Sequence, residues 1–454
     1  MENSTTPSEQ AINRRRVFGW ALYDWANSAF AVTVMTVFFP VFLKDFWCLP
    51  GTAETVSTFR LSMANSIASA VVAILAPVLG AIADRGNARK RFLLFFAAVG
   101  IVMTGSLHFV ARGQWQVALL LYVLSVIGFS GGNIFYDSLL VSVAGEKKLH
   151  FVSALGFSFG YLGGGLLFAF NVVMVLNPGK FGLADADDAV RRAFLLVSLW
   201  WAVFSIPLFL FVRETSRPGR RLGAWQTVKS GLVQLRQTFQ EVRKLKMVFL
   251  FLVGYWLYID GVDTVVLMAV DYGNSLGFPR DTLIKAILIT QFVGFPAAIV
   301  FGKLGEKIGA KIGIFVALAV YIGVSIWGYL MKRPEEFYVL AIVVGLVQGG
   351  VQALSRSLYA HLIPKDKAAE FFGFYNMLGK FAAIIGPSIM GVVGVMTGNP
   401  RLSILAIIVL FVAGGALLYF VREERTESIG TPADSIAASD GIIESTQSKK
   451  ETEN

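Results

Sequence analysis

Residues 17–43 read VFGWALYDWANSAFAVTVMTVFFPVFL, a run of 27 residues in which Asp24 is the one charged side chain. As a helix it would rise about 40 Å, more than the roughly 30 Å of hydrocarbon in a bilayer. A carboxylate inside hydrocarbon costs about 3 kcal/mol, so Asp24 needs a partner, water or a task. The stretch YDWANSAF (23–30) surrounds it with aromatic, amide and small residues.

The rest of the chain repeats the pattern of the run. Of 454 residues, 55% are hydrophobic and 15% charged, against about a quarter charged in a soluble domain. Twelve apolar runs are predicted to cross a membrane as helices: 17–43, 61–83, 92–111, 116–144, 151–176, 193–212, 247–270, 283–301, 312–331, 337–361, 371–397 and 402–421. The first run is too long for a removable signal and lacks a small-residue cleavage site, so we expect it to remain as the first helix. One cysteine, Cys48, and three scattered histidines offer no disulfide and no metal site. No glycine loop ending in Lys-Ser or Lys-Thr is present to cradle a nucleotide phosphate, so neither cofactor nor ATP is expected, and nothing points to an enzyme.

The net charge of +10 is unevenly placed. With this topology, 27 of the 40 Lys and Arg fall on the side of the termini, 10 on the other side and three within helices. That is the positive-inside pattern, which predicts cytoplasmic termini and anionic lipid, not nucleic acid, as the partner of the charge. The expected organisation is a cytoplasmic tail (1–16), a six-helix bundle (17–213), a basic cytoplasmic linker (214–246), a second six-helix bundle (247–421) and a Ser/Thr/Glu-rich disordered tail (422–454).

The two bundles echo one another. GWALYD (19–24) returns as GYWLYID (254–260) with one residue inserted, and GAIADRGNARKR (80–91) as GKLGEKIGAK (302–311). GGNIFYDSLL (131–140) returns as GGVQALSRSLY (349–359), and a Gly-Phe pair recurs at 156 and 373. A parallel six-plus-six repeat is a transporter architecture.

GAIADRGNARKR resembles the cytoplasmic loop motif of the major facilitator superfamily, although its second glycine, Gly86, comes one position early. YDWANSAF, NIFYDSLL (133–140) and SRSLYAHLIPKDKAAEFFGFYNMLGKFAAIIGP (355–387) are similar to the autophagy-related vacuolar effluxer family and its bacterial relatives. The resemblance implies an all-α fold of twelve transmembrane helices in two pseudo-repeats, a monomer working by alternating access, and efflux of amino acids. It also implies a bacterial inner membrane or, in a eukaryote, a vacuolar one. In such proteins helices one, four, seven and ten line the cavity.

The ionisable residues deep in apolar runs are Asp24, Asp137, Asp260, Asp263, Arg356 and Lys380. Tyr23 and Asn27 lie within reach of Asp24, and Asn133, Gln352 and Asn376 are the polar neighbours of the others. Asp24 either locks helix packing or handles substrate or proton. Asp260 and Asp263, three residues apart, are expected to share a face; two such acids in low dielectric do not both ionise cheaply, so one is suited to carry a coupling proton, unless one simply pairs with Arg356 or Lys380. Asp137 and Arg356, at nearly corresponding places in the halves, are expected to pair across the cavity, permanently or in one state. Lys380 either faces the cavity or snorkels to the interface. The loop motifs supply a cytoplasmic gate: Gly80, Asp84, Arg85 and Arg89 in the first half, Gly302, Glu306 and Lys307 in the second, with the acids held by an adjacent base or a neighbouring helix N-terminus. The expected function is secondary, proton-coupled transport of a small polar metabolite; a lipid flippase or a non-transporting sensor would use the same frame.

Overall fold

The computed structural model describes residues 7–49, 51–52, 54–86, 88–145, 148–214 and 245–422. The basic linker from 215 to 244 and the tail from 423 lie outside them. Helix α1 starts as Pro7–Ala29 and continues through π-helical Phe30–Phe38, one α-turn Phe39–Phe42 and π-helical Leu43–Trp47. It is followed by α2 (Glu54–Gly86), α3 (Arg89–Ser106), α4 (Trp115–Val143), α5 (Leu149–Leu176) and α6 (Ala186–Phe211). The second half comprises α7 (Lys246–Ser275), α8 (Arg280–Ile308), α9 (Ala310–Leu330), α10 (Pro334–Leu362), α11 (Ala368–Thr397) and α12, split into Pro400–Ala406 and Ile408–Tyr419. All twelve expected runs are helical. The helices overshoot the apolar runs, α1 by ten residues at its start, because hydropathy marks the hydrocarbon and hydrogen bonding carries a helix beyond it.

Eleven of the described helices are long and apolar enough to cross a membrane, and α11, at 30 residues with an apolar stretch Ile385–Thr397, has the length of a twelfth. Their outward faces carry apolar side chains, with Ile74 71%, Leu210 67% and Val395 86% exposed. That is the surface of a protein whose solvent there is lipid.

The halves meet along two crossings related by the repeat, α2 on α11 and α5 on α8, with α10 also against α5. Small residues let the backbones touch. A Cβ on Gly373 would stand 2.7 Å from the Ala76 carbonyl oxygen, and one on Gly302 would run into the Ala154 side chain. Away from these crossings, α1, α4 and α6 are sealed at their far end by stacked aromatics: Phe39 on Tyr122 at 3.9 Å, Phe42 on Phe46 at 4.4 Å and Trp47 on Phe194 at 5.6 Å.

Candidate functional site

On α1, helical spacing puts Trp20, Asp24, Asn27 and Ser28 on the face turned toward α4 and α5. The Trp20 ring stacks on Tyr136 of α4 at 4.5 Å, and its Nε1 donates to the Tyr136 carbonyl at 3.0 Å. Held this way, the Tyr136 hydroxyl donates to Asp24 Oδ2 at 2.8 Å. Into this corner of the first half comes Arg356, from α10 of the second.

Arg356 Nη1 donates to Asp137 Oδ1 at 3.0 Å and to Asp24 Oδ2 at 3.5 Å. Its Nε donates to Ser153 Oγ at 3.0 Å and its Nη2 to the Ser153 carbonyl at 2.7 Å. The guanidinium carbon lies 4.2 Å from the Phe157 ring centre and 5.0 Å from that of Trp20, a cation–π enclosure. Asn376 of α11 donates to the other Asp137 oxygen at 3.1 Å. Two carboxylates therefore face one guanidinium. Removing one member of such a desolvated set costs about 3–5 kcal/mol, although the whole adds little net stability.

This triad forms the floor of a cavity of about 590 Å³ that runs away from the chain termini, along α1 as far as Thr36 and along α10 as far as Phe337. Asn27 donates to Asn133 Oδ1 at 2.7 Å, and Tyr161 to Gln352 Oε1 at 3.4 Å, both at its wall. Of the residues singled out in the sequence, Asp24, Asn27, Asn133, Asp137, Asp263, Gln352, Arg356 and Asn376 border this space. The Lys380 side chain lies outside the described residues.

Tyr23 and Asp260 depart from expectation. Tyr23 is fully buried against Tyr136 and does not reach the cavity. Asp260 is turned to α11, where its carboxylate accepts from the backbone amides of Ile385 at 3.1 Å and Gly386 at 2.9 Å, just before Pro387. Asp263 borders the cavity and Asp260 does not. The inserted residue is the reason. Gly19 abuts the carbonyl of Pro207 in α6 and Gly254 that of Gly414 in α12, so the two glycines are equivalent. Counting from them, the place of Asp24 is taken by Ile259, which lines the cavity, and Asp260 falls one residue on, about 100° around the helix.

At the opposite face, near the termini, Asp84 is held as anticipated. It accepts from Arg89 Nε at 2.6 Å and from the amides of Ala369 at 3.2 Å and Glu370 at 2.9 Å, capping the N-terminus of α11. Arg89 also reaches the carbonyls of Ser138 and Lys365, and Gly80 packs on the Ala369 backbone. The Arg85 side chain lies outside the described residues. In the second half Gly302 makes its helix crossing, but Glu306 and Lys307 are exposed and make no ion pair with another described residue, contrary to the expected gate role. Their place at the seam is taken by His150, whose Nδ1 lies 2.8 Å from Ser357 Oγ, and by Ser153 Oγ, which donates to the Ala353 carbonyl at 2.8 Å.

Sequence reasoning missed Trp20, Tyr136, Ser153 and Phe157. The first two sit beside the acids in the quoted motifs and were visible as neighbours. Ser153 and Phe157, one turn apart on α5, carry no signal that separates them from other small and apolar residues.

The fold and the cleft between its halves are those of a membrane transporter of the major facilitator type, not of an enzyme. It is similar to the proton:xylose symporter XylE bound to 6-bromo-6-deoxy-D-glucose (TM-score 0.69, 13% identity, 92% of this chain and 96% of that one). It is likewise similar to the human organic anion transporter MFSD10 (TM-score 0.67, 14% identity, 91% and 100%). Within that class the chain belongs to the vacuole effluxer Atg22-like family, whose model matches residues 49–151 and 143–428. Relatives include the MFS-type transporter YxiO of Bacillus subtilis (strain 168), 38% identical over 90% of this chain and 95% of its own length. Another is autophagy-related protein 22 of Yarrowia lipolytica, 25% identical over 82% and 76%.

Proposed function

We propose that the chain is a secondary active transporter that moves a small polar metabolite, such as an amino acid, out of the compartment holding its termini, by alternating access and with proton coupling. The observation that carries this reading is Arg356 of one half lodged between Asp24 and Asp137 of the other at the closed end of the cavity. Such a contact is made only while the halves are together on that side. The acids exceed the base by one, and a proton or a cationic group of the cargo would balance them.

Asp24, Asp137 and Asp263, the acids that border the cavity, are the proton-handling candidates in this scheme; Asp260 belongs to the α7–α11 contact. The Asp84 capping of α11 serves as the latch that releases when the cavity opens toward the termini. Both termini are cytoplasmic, in keeping with the Lys and Arg distribution, and the protein works as a monomer.

The test is solute flux in proteoliposomes with and without an imposed pH gradient, for the wild type, Asp24→Asn and Arg356→Ala. Gradient-driven flux lost in both variants is the expected result. Flux indifferent to the gradient removes proton coupling, and flux indifferent to both substitutions removes the site.

A further inference from the structure

We propose that the outer part of the cavity is a subsite for an extended apolar group, and that the cargo it serves is an organic amine: a cationic head at the Asp24 and Asp137 floor, an apolar body in the second half. This rests on the cavity being the transport site and sets aside the amino-acid example given above, because the floor disfavours a free carboxylate.

Helix α10 shows the grading. One face of it borders the cavity from Phe337 to Arg356, through Leu340, Ala341 and Val344 and then Gln348 and Gln352. The outer two turns are apolar and the inner ones polar. From Arg356 to Val344 is 12 residues, about 18 Å of helix.

The apolar part also leaves the cleft between the halves and enters the second bundle. Val324 of α9 and Ile404 and Ile407 of α12 line it, each less than a tenth exposed. These helices stand behind α7 and α10, and the space reaches α12 at Ile404 and Ile407. The equivalent end of the first bundle is filled by the stacked aromatics of α1, α4 and α6. An unfilled apolar space forfeits dispersion contacts on its lining, so an internal recess continuous with a charged floor is the shape of a site for a ligand with both characters.

The sign of the head follows from hydrogen bonds. Arg356 already donates from all three nitrogens to Asp24, Asp137 and Ser153, whereas two carboxylates share its single charge. An incoming carboxylate would compete with both acids for one occupied base. An ammonium meets the excess charge.

The proposal is tested by calorimetric titration of the full chain in lipid nanodiscs, with empty nanodiscs subtracted, using butyl-, hexyl- and octyltrimethylammonium and octanesulfonate. Affinity should rise at least about tenfold from butyl to octyl, since each buried methylene is worth up to about fourfold, and octanesulfonate should not bind. Ile407→Trp, which fills the recess, should bring octyl down to the butyl level and leave butyl unchanged. Leu340→Ala, which enlarges it and does not depend on accommodating an indole, should move the optimum to a longer chain. Asp24→Asn should weaken every member of the series equally. Affinity independent of chain length, binding of the sulfonate as strong as of the ammonium, or octyl binding untouched by both recess variants overturns the proposal. Asp24-dependent flux of a small polar solute with no ammonium binding overturns it too while leaving the transport reading in place; flux and binding both blind to Asp24 remove the two together.

Discussion

Helices α1 and α7 occupy equivalent places, each with a glycine against the last helix of its own bundle, yet their acids do different things. Asp24 faces α4 and α5 and meets Arg356; Asp260 faces α11 and meets backbone amides. The two loop motifs diverge in the same way. Lys90 donates to the carbonyls of Phe209 and Val212 at the end of α6, and Lys311 to those of Tyr419 and Val421 at the end of α12, so this part of the motif is repeated intact. The acid is not repeated: Asp84 is buried on α11, while Glu306 is exposed. The repeat thus preserves what each bundle needs to hold itself together, and has lost symmetry where the bundles act on one another.

The largest effect expected from that contrast is at Arg356. Arg356→Ala strands two buried carboxylates and should cost about 3–5 kcal/mol in thermal or denaturant unfolding, with flux abolished. Asp260→Asn keeps one of the two acceptor oxygens and leaves one amide of α11 without its acceptor, so it should cost less, about 1–3 kcal/mol, and spare part of the flux. Equal loss in the two variants would show that the two acids play equivalent parts after all.

Next comes Gly386, where a Cβ would collide with Thr264 Oγ1 and the Asp260 carboxylate. Gly386→Ala should destabilise by about 1–3 kcal/mol by forcing α7 from α11. Gly391→Ala, at a position with open space, should be close to neutral in the same unfolding measurement.

Asp84→Asn and Glu306→Gln bear on the loops. The first removes the charge held by Arg89 and the α11 N-terminus, worth about 1–2 kcal/mol in a partly buried setting. It should raise the labelling rate of a cysteine placed at the cavity floor by a reagent confined to the side of the termini. Glu306→Gln should leave that rate unchanged. The smallest effect is expected from Lys90→Met and Lys311→Met, about 1 kcal/mol each and alike, because each donates to the carbonyls at the end of the last helix of its bundle. A marked difference between them would show the asymmetry reaching further than described.

Much of this could be read in the sequence. Twelve runs at the length of a bilayer, and four motifs repeated in order, specify the helices and their pairing into halves, because lipid requires backbone bonds to close within each helix. Asp24, Asp137 and Arg356 stood out because a charge in such a run needs a reason. What stayed hidden was azimuth. One inserted residue in GYWLYID turns the acid about 100° away from the cavity, and its partners are amides of α11, which no residue type announces. The recess in the second half was equally silent, since it is lined by residues that are apolar in either role.

Ser153 has a consequence for energetics. It accepts from Arg356 at the cavity floor and donates to Ala353 across the seam that shuts the side of the termini. The two hydrogen bonds share one hydroxyl and polarise one another, so withdrawal of Arg356 weakens the bond across the seam. By reciprocity the closed seam must oppose that withdrawal by the same free energy. In the proposed transport cycle, occupancy of the floor and closure of the seam are therefore coupled, and affinity for cargo is set together with the ease of release on the other side.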